Sequence, residues 1–79
     1  MPYIDNDRRD DILNGESLYT IGELVFQLTM VVLKYLPRQP KFADYDAVIG
    51  ALECAKLELY RRRVAVYEDQ KIRENGDVY

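Results

Sequence analysis

The segment from Tyr19 to Pro37, YTIGELVFQLTMVVLKYLP, constrains the fold more than any other part of the chain. Leu24, Val25, Phe26, Leu28, Met30, Val31, Val32, Leu33 and Leu36 surround a helix on almost every side, and only Gln27, Thr29 and Lys34 interrupt them. A helix that is apolar all round is buried all round. It falls short of the roughly 20 apolar residues that cross a bilayer, so protein must cover it. The chain has only 79 residues, and a folded chain of that size buries only about 60% of its unfolded surface. Small domains compensate with disulfides, a metal or oligomerisation. A single cysteine, Cys54, and no histidine exclude an intrachain disulfide and the usual Cys and His zinc site. A second subunit is the expected source of cover.

Helix punctuation supports a simple layout. Thr20 and Glu23 have capping-box spacing, Tyr19 and Leu24 are placed to form the accompanying hydrophobic staple, and Pro37 stops the helix that begins at Ile21. Asp5 to Leu13 forms a short helix with Asp5 as N-cap and Gly15 beyond its end. After the connector PRQPKFA, Asp44 caps a last long helix. On it Tyr45, Val48, Leu52, Ala55 and Leu59 make one apolar row, and Leu57, Tyr60, Val64 and Tyr67 make a second. Gly50 and Ala51 offer a place for close helix approach. Glu68 and Asp69 precede Lys71 and Arg73 in the order that helical ion pairs prefer, and Asn75-Gly76 ends the helix. The expected architecture is all-α: a single helical domain, 1–79, with an N-terminal segment (1–18), an apolar helix (20–36), a long helix (44–74) and a tail (75–79). The two long helices form an antiparallel hairpin that assembles as a homo-oligomer.

The net charge is −3, unevenly spread. Residues 1–23 carry six acids and two bases, residues 24–66 four acids and seven bases, and residues 67–79 four acids and two bases. A basic middle is flanked by acidic ends. This balance argues against a protein that coats nucleic acid, which needs a dense row of Lys and Arg. Met1-Pro2-Tyr3-Ile4 runs into Asp5 without the basic start and apolar run of a signal peptide, and a cytoplasmic location is expected.

The residue types for catalysis are sparse. Without histidine, acid and base work falls to carboxylates, lysine, tyrosine or Cys54. Cys54, between Glu53 and Ala55, lacks an imidazole to activate it and reads as a small hydrophobe. Glu53 and Glu58 do not share the three- or four-residue spacing of one helix face. The expectation is a protein that is not an enzyme and uses no cofactor. Asp5, Asp7, Asp11 and Glu16 match positions 1, 3, 7 and 12 of a calcium loop. Arg9 and Asp10, where a ligand and the turn glycine belong, break that match, and acids at a helix start explain the same cluster.

The stretch LYRRRVAVYEDQ, residues 59–70, is the candidate binding site. Arg61, Arg62 and Arg63 lie about 100° apart on a helix and cannot share one narrow face. Arginine grips phosphate or carboxylate with paired hydrogen bonds, and tyrosine rings stack on bases. Arg61, Arg62, Arg63 and Lys34 are therefore candidate phosphate ligands, with Tyr60 and Tyr67 as stacking residues. The competing expectation is salt bridging to Glu68, Asp69 or the acidic N-terminal segment of a neighbouring subunit. A basic patch of Lys34, Arg38, Lys41 and the arginines also admits a helix-turn-helix, but the two-proline connector and long helices exceed that motif.

The C-terminal run ECAKLELYRRRVAVYEDQKIRENGDVY, with the start MPYI, resembles a group of short uncharacterised proteins from bacteriophages and bacterial genomes. The resemblance covers both ends and the last long helix and is weak between Asp5 and Leu18. The family pattern has proline before the tail tyrosine, as in APYED, where this chain has Val66; whether the helix bends there is left open. The resemblance implies a viral or mobile-element origin. The expected function is a non-catalytic oligomer that sequesters a phosphate-bearing nucleotide signal and blunts a host defence. The alternative is a small inhibitor or adaptor docking on a host or phage protein through leftover apolar surface; a DNA-binding regulator is the third reading.

Overall fold

A computed structural model describes residues 4–79, so Met1, Pro2 and Tyr3 of the expected N-terminal segment lie outside the described residues. The described residues are helical, without strands: α1 (Asn6–Leu13), α2 (Ile21–Tyr35), α3 (Phe42–Leu59), a wide π-helical stretch (Tyr60–Val64) and α4 (Ala65–Asn75). They fall into two compact units, Met1–Pro40 and Lys41–Tyr79.

In the first unit α1 starts where Asp5 accepts a hydrogen bond from the Arg8 amide at 2.8 Å. Gly15 follows its end at φ +95°, a left-handed conformation that glycine adopts without Cβ strain. Thr20 caps α2, its hydroxyl oxygen accepting from the Glu23 amide at 3.1 Å. The return bond differs from the capping box expected: the Glu23 carboxylate accepts from the amide of Tyr19, 2.7 Å away. Tyr19 does not end up in a buried staple. It is 77% exposed, with its ring 5.2 Å from the Arg8 guanidinium. The core of this unit is Ile4, Ile12 and Phe26, with Met30 packed against them.

The burial expected for α2 is not met within the first unit. Among its described residues only Glu23 and Phe26 are buried, while Ile21, Leu24, Leu28, Val31 and Leu33 are exposed. One short helix against one long one offers too little protein to enclose a surface that is apolar all round.

In the second unit the long helix starts three residues earlier than Asp44 as a cap suggested. Lys41 is its N-cap, and Asp44 acts from inside the first turn, accepting from the Lys41 amide at 2.9 Å. The helix passes through Val66 without a break; its irregularity lies one turn earlier, at Tyr60–Val64. It ends at Asn75, where Gly76 takes φ +84° and donates its amide to the Ile72 carbonyl at 2.8 Å. Val48 is its only buried residue among those described. The expected pairing of Glu68 and Asp69 with the bases beyond them is replaced by a Lys71–Glu74 pair at 3.1 Å, because Glu68 is engaged elsewhere.

Candidate anion-binding turn

Three arginines occupy the one irregular turn of the long helix. The Ala65 amide reaches back five residues to the Tyr60 carbonyl, one more than in an α-helix, so the turn is wider and holds an extra residue. Such turns cluster at functional sites. Arg61 and Arg62 share one carboxylate: Arg61 Nη2 lies 3.5 Å from Glu58 Oε1, and Arg62 Nε donates to Glu58 Oε2 at 2.7 Å. These ion pairs are exposed and contribute little to stability, but they hold two guanidinium groups on one side. Arg63 is exposed and without a partner among the described residues. Three positive charges in one turn therefore face a single contacting carboxylate.

The aromatic candidates are partly engaged. The Tyr60 hydroxyl donates to the Glu68 carboxylate across the wide turn, and that bond together with the carboxylate charge raises the Tyr60 pKa. Lys71 Nζ lies 5.6 Å from the Tyr67 ring centroid, a cation–π distance. Neither ring is buried: Tyr60 is 51% and Tyr67 59% exposed. Lys34 belongs to the other unit, where it borders a shallow hollow with Leu13, Gln27, Met30 and Val31. The turn thus brings together Tyr60, Arg61, Arg62 and Arg63, with Tyr67 in the next turns of the same helix.

Sequence reasoning missed the strongest polar site of the first unit. Arg8 donates from Nε and Nη2 to both carboxylate oxygens of Glu23, at 2.7 and 2.9 Å, and from Nη2 to the Ser17 carbonyl at 2.5 Å. The Arg8 hydrogen bond, followed by that from Tyr19, lowers the Glu23 pKa to about 2. Local spacing could not reveal a pair separated by 15 residues; the one signal was a carboxylate on an otherwise apolar helix start.

Among the described residues no cluster of three or more His, Cys, Asp or Glu has the arrangement to hold a metal ion, and no helix is long and apolar enough to cross a membrane. A family model described as "Domain of unknown function (DUF6899)" matches residues 1–78. The chain belongs to this family. The match spans nearly the whole chain, so the exposed turn and the apolar helix both lie within the family domain. No curated protein and no solved structure matches the chain.

Proposed function

We propose that this chain is a non-catalytic binding protein that works as a homo-oligomer and sequesters a phosphate-bearing nucleotide at the arginine turn. The carrying observation is the charge imbalance of that turn: Arg61 and Arg62 divide one carboxylate between them, and Arg63 adds a third cation. Guanidinium groups held side by side suit the oxygens of a phosphate, which they bind through paired charge-assisted bonds. The exposed faces of Tyr60 and Tyr67 offer stacking surface beside them. Lys34 belongs to the other unit and is not part of the turn. With the resemblance to phage proteins, this reading makes the chain an anti-defence protein acting in the bacterial cytoplasm.

Native mass spectrometry of the purified protein before and after denaturation tests it. A closed oligomer carrying a nucleotide mass that leaves on denaturation supports the reading. Oligomers of the parent and of Arg62→Ala that retain added nucleotides equally overturn the arginine site. A second reading, an adaptor docking on a host or phage protein, is favoured by the apolar surface of α2, where Ile21 is 82% exposed. It predicts one dominant protein partner and no retained small molecule.

A further inference from the structure

One face of the long helix alternates acid, apolar and basic residues, of which only Glu53 and Lys56 pair with each other within the chain, at 3.1 Å. Asp46, Ile49, Glu53, Lys56 and Tyr60 recur at steps of three, four, three and four, the spacing of a coiled-coil seam, and Arg63 follows them inside the wide turn. All six are exposed; Ile49 and Tyr60 keep 64% and 51% of their surface accessible. The order along the face is acid, apolar, acid, then base, aromatic, base. Asp46 and Arg63 have no partner among the described residues.

From this pattern we infer that the face pairs with the same face of a second copy, antiparallel, about a two-fold axis beside the Cys54–Ala55 peptide. In a two-fold interface, if one residue meets another, the reverse contact occurs too. Each residue on the seam then meets one that lies as far beyond the axis as it lies before it. Asp46 faces the partner's Arg63, Ile49 faces the partner's Tyr60, and the Glu53–Lys56 pair of one chain lies against the same pair of the other with its charges reversed. Every acid meets a base and the apolar residue meets an aromatic one. A parallel pairing in the same register instead sets Asp46 on Asp46 and Arg63 on Arg63, which is repulsive. The seam ends at Arg63 because the wide turn rotates the residues that follow it; Arg63 reaches across from that turn on a long flexible side chain.

The surface supports a second copy as the occupant. In the second unit Tyr45, Ile49, Leu57, Leu59 and Tyr60 each keep half or more of their surface exposed. A standard interface takes about 800 Å² from each partner. This inference rests on the self-association in the proposed function and not on its ligand; it commits Arg63 and Tyr60 to the partner's Asp46 and the partner's Ile49 and leaves Arg61, Arg62 and Tyr67 toward the anion.

Charge exchange tests it. Asp46 and Arg63 are 17 residues apart on one helix, roughly 25 Å at 1.5 Å per residue, so no contact within a chain couples them. Asp46→Arg alone and Arg63→Asp alone should each weaken association at least about tenfold, because each sets like charges opposite one another. An equimolar mixture of the two variants restores opposite charges in both layers. Native mass spectra should then show the mixed dimer dominating, with helix content unchanged by circular dichroism. An oligomer indifferent to both changes, or a mixture that yields no excess of mixed dimer, overturns this pairing while leaving self-association standing. A parent protein that stays monomeric, alone or with a protein partner, overturns the pairing and the oligomer on which the proposed function depends.

Discussion

Arg8 and Glu23 form a two-pronged ion pair that ties α1 to the first turn of α2, with Nε and Nη2 at 2.7 and 2.9 Å from the two carboxylate oxygens. Glu23 also accepts from the Tyr19 amide, so one side chain fixes the loop, the helix start and the neighbouring helix. Its carboxyl is held at about 2, chiefly by the Arg8 hydrogen bond. A carboxyl whose pKa is lower folded than unfolded favours folding above its unfolded value near 4.5, and that contribution fades as pH falls toward 2. The first unit should therefore lose stability across that window. Glu23→Gln should flatten this dependence and lower the Tm at pH 7 by several degrees, as read by thermal melts from pH 7 to pH 2.

The core of the first unit predicts a sharp contrast between two apolar residues of α2. Phe26 is 4% exposed against Ile4 and Ile12, whereas Leu33 is 56% exposed. Phe26→Ala should cost about 3 kcal/mol or more through lost burial and a cavity. In a marginal domain that is enough to unfold the unit. Leu33→Ala should stay within about 0.5 kcal/mol when the chain is monomeric. Urea titrations at low protein concentration distinguish them, and a large Leu33 effect appearing only at high concentration would place that residue in a subunit contact.

Tyr60 provides a spectroscopic handle. Its hydroxyl donates to Glu68, and that bond and charge push its pKa up. Of the seven tyrosines, Tyr60 should ionise late in an alkaline absorbance titration. Tyr60→Phe should remove that late component, and Glu68→Gln should move it earlier. An unaltered titration in both variants would show that the two side chains do not meet in solution.

Glycine substitutions should change sign with backbone conformation. Gly50 lies inside α3, and a Cβ there meets nothing within 4 Å. Gly50→Ala should stabilise the helix by about 0.5–1 kcal/mol. Gly76, at φ +84°, closes α4, and Gly76→Ala should destabilise it by a similar amount, about 1 kcal/mol. Amide exchange over residues 66–75 should slow little in the first variant and quicken in the second.

Much of this layout was legible because the signals were local. Asp5 before α1, Thr20 before α2, Pro37 after it and Gly76 after α4 each act within a few residues on the chain's own backbone, and the structure has caps and stops at these places. The start of α3 was misread because Asp44 serves equally well as a cap or, as found, from within the first turn. The arginines could be picked out as a cluster, but their geometry could not. Periodicity assumes 3.6 residues per turn, and the turn at Tyr60–Val64 departs from it. The Arg8–Glu23 pair was invisible for a different reason: it joins two helices across a loop, and only the folded loop sets the distance.

The wide turn also changes what the helix can present. In an uninterrupted α-helix, residues eight apart are turned away from one another by about 80°; here Tyr60 and Glu68 meet side chain to side chain. One surplus residue acts as a phase shifter, so the facing of everything after Val64 is set separately from the facing of everything before Tyr60. The segment up to Arg63 can keep a seam matched to one neighbour, while the Lys71 and Ile72 end is aimed elsewhere by the same continuous rod.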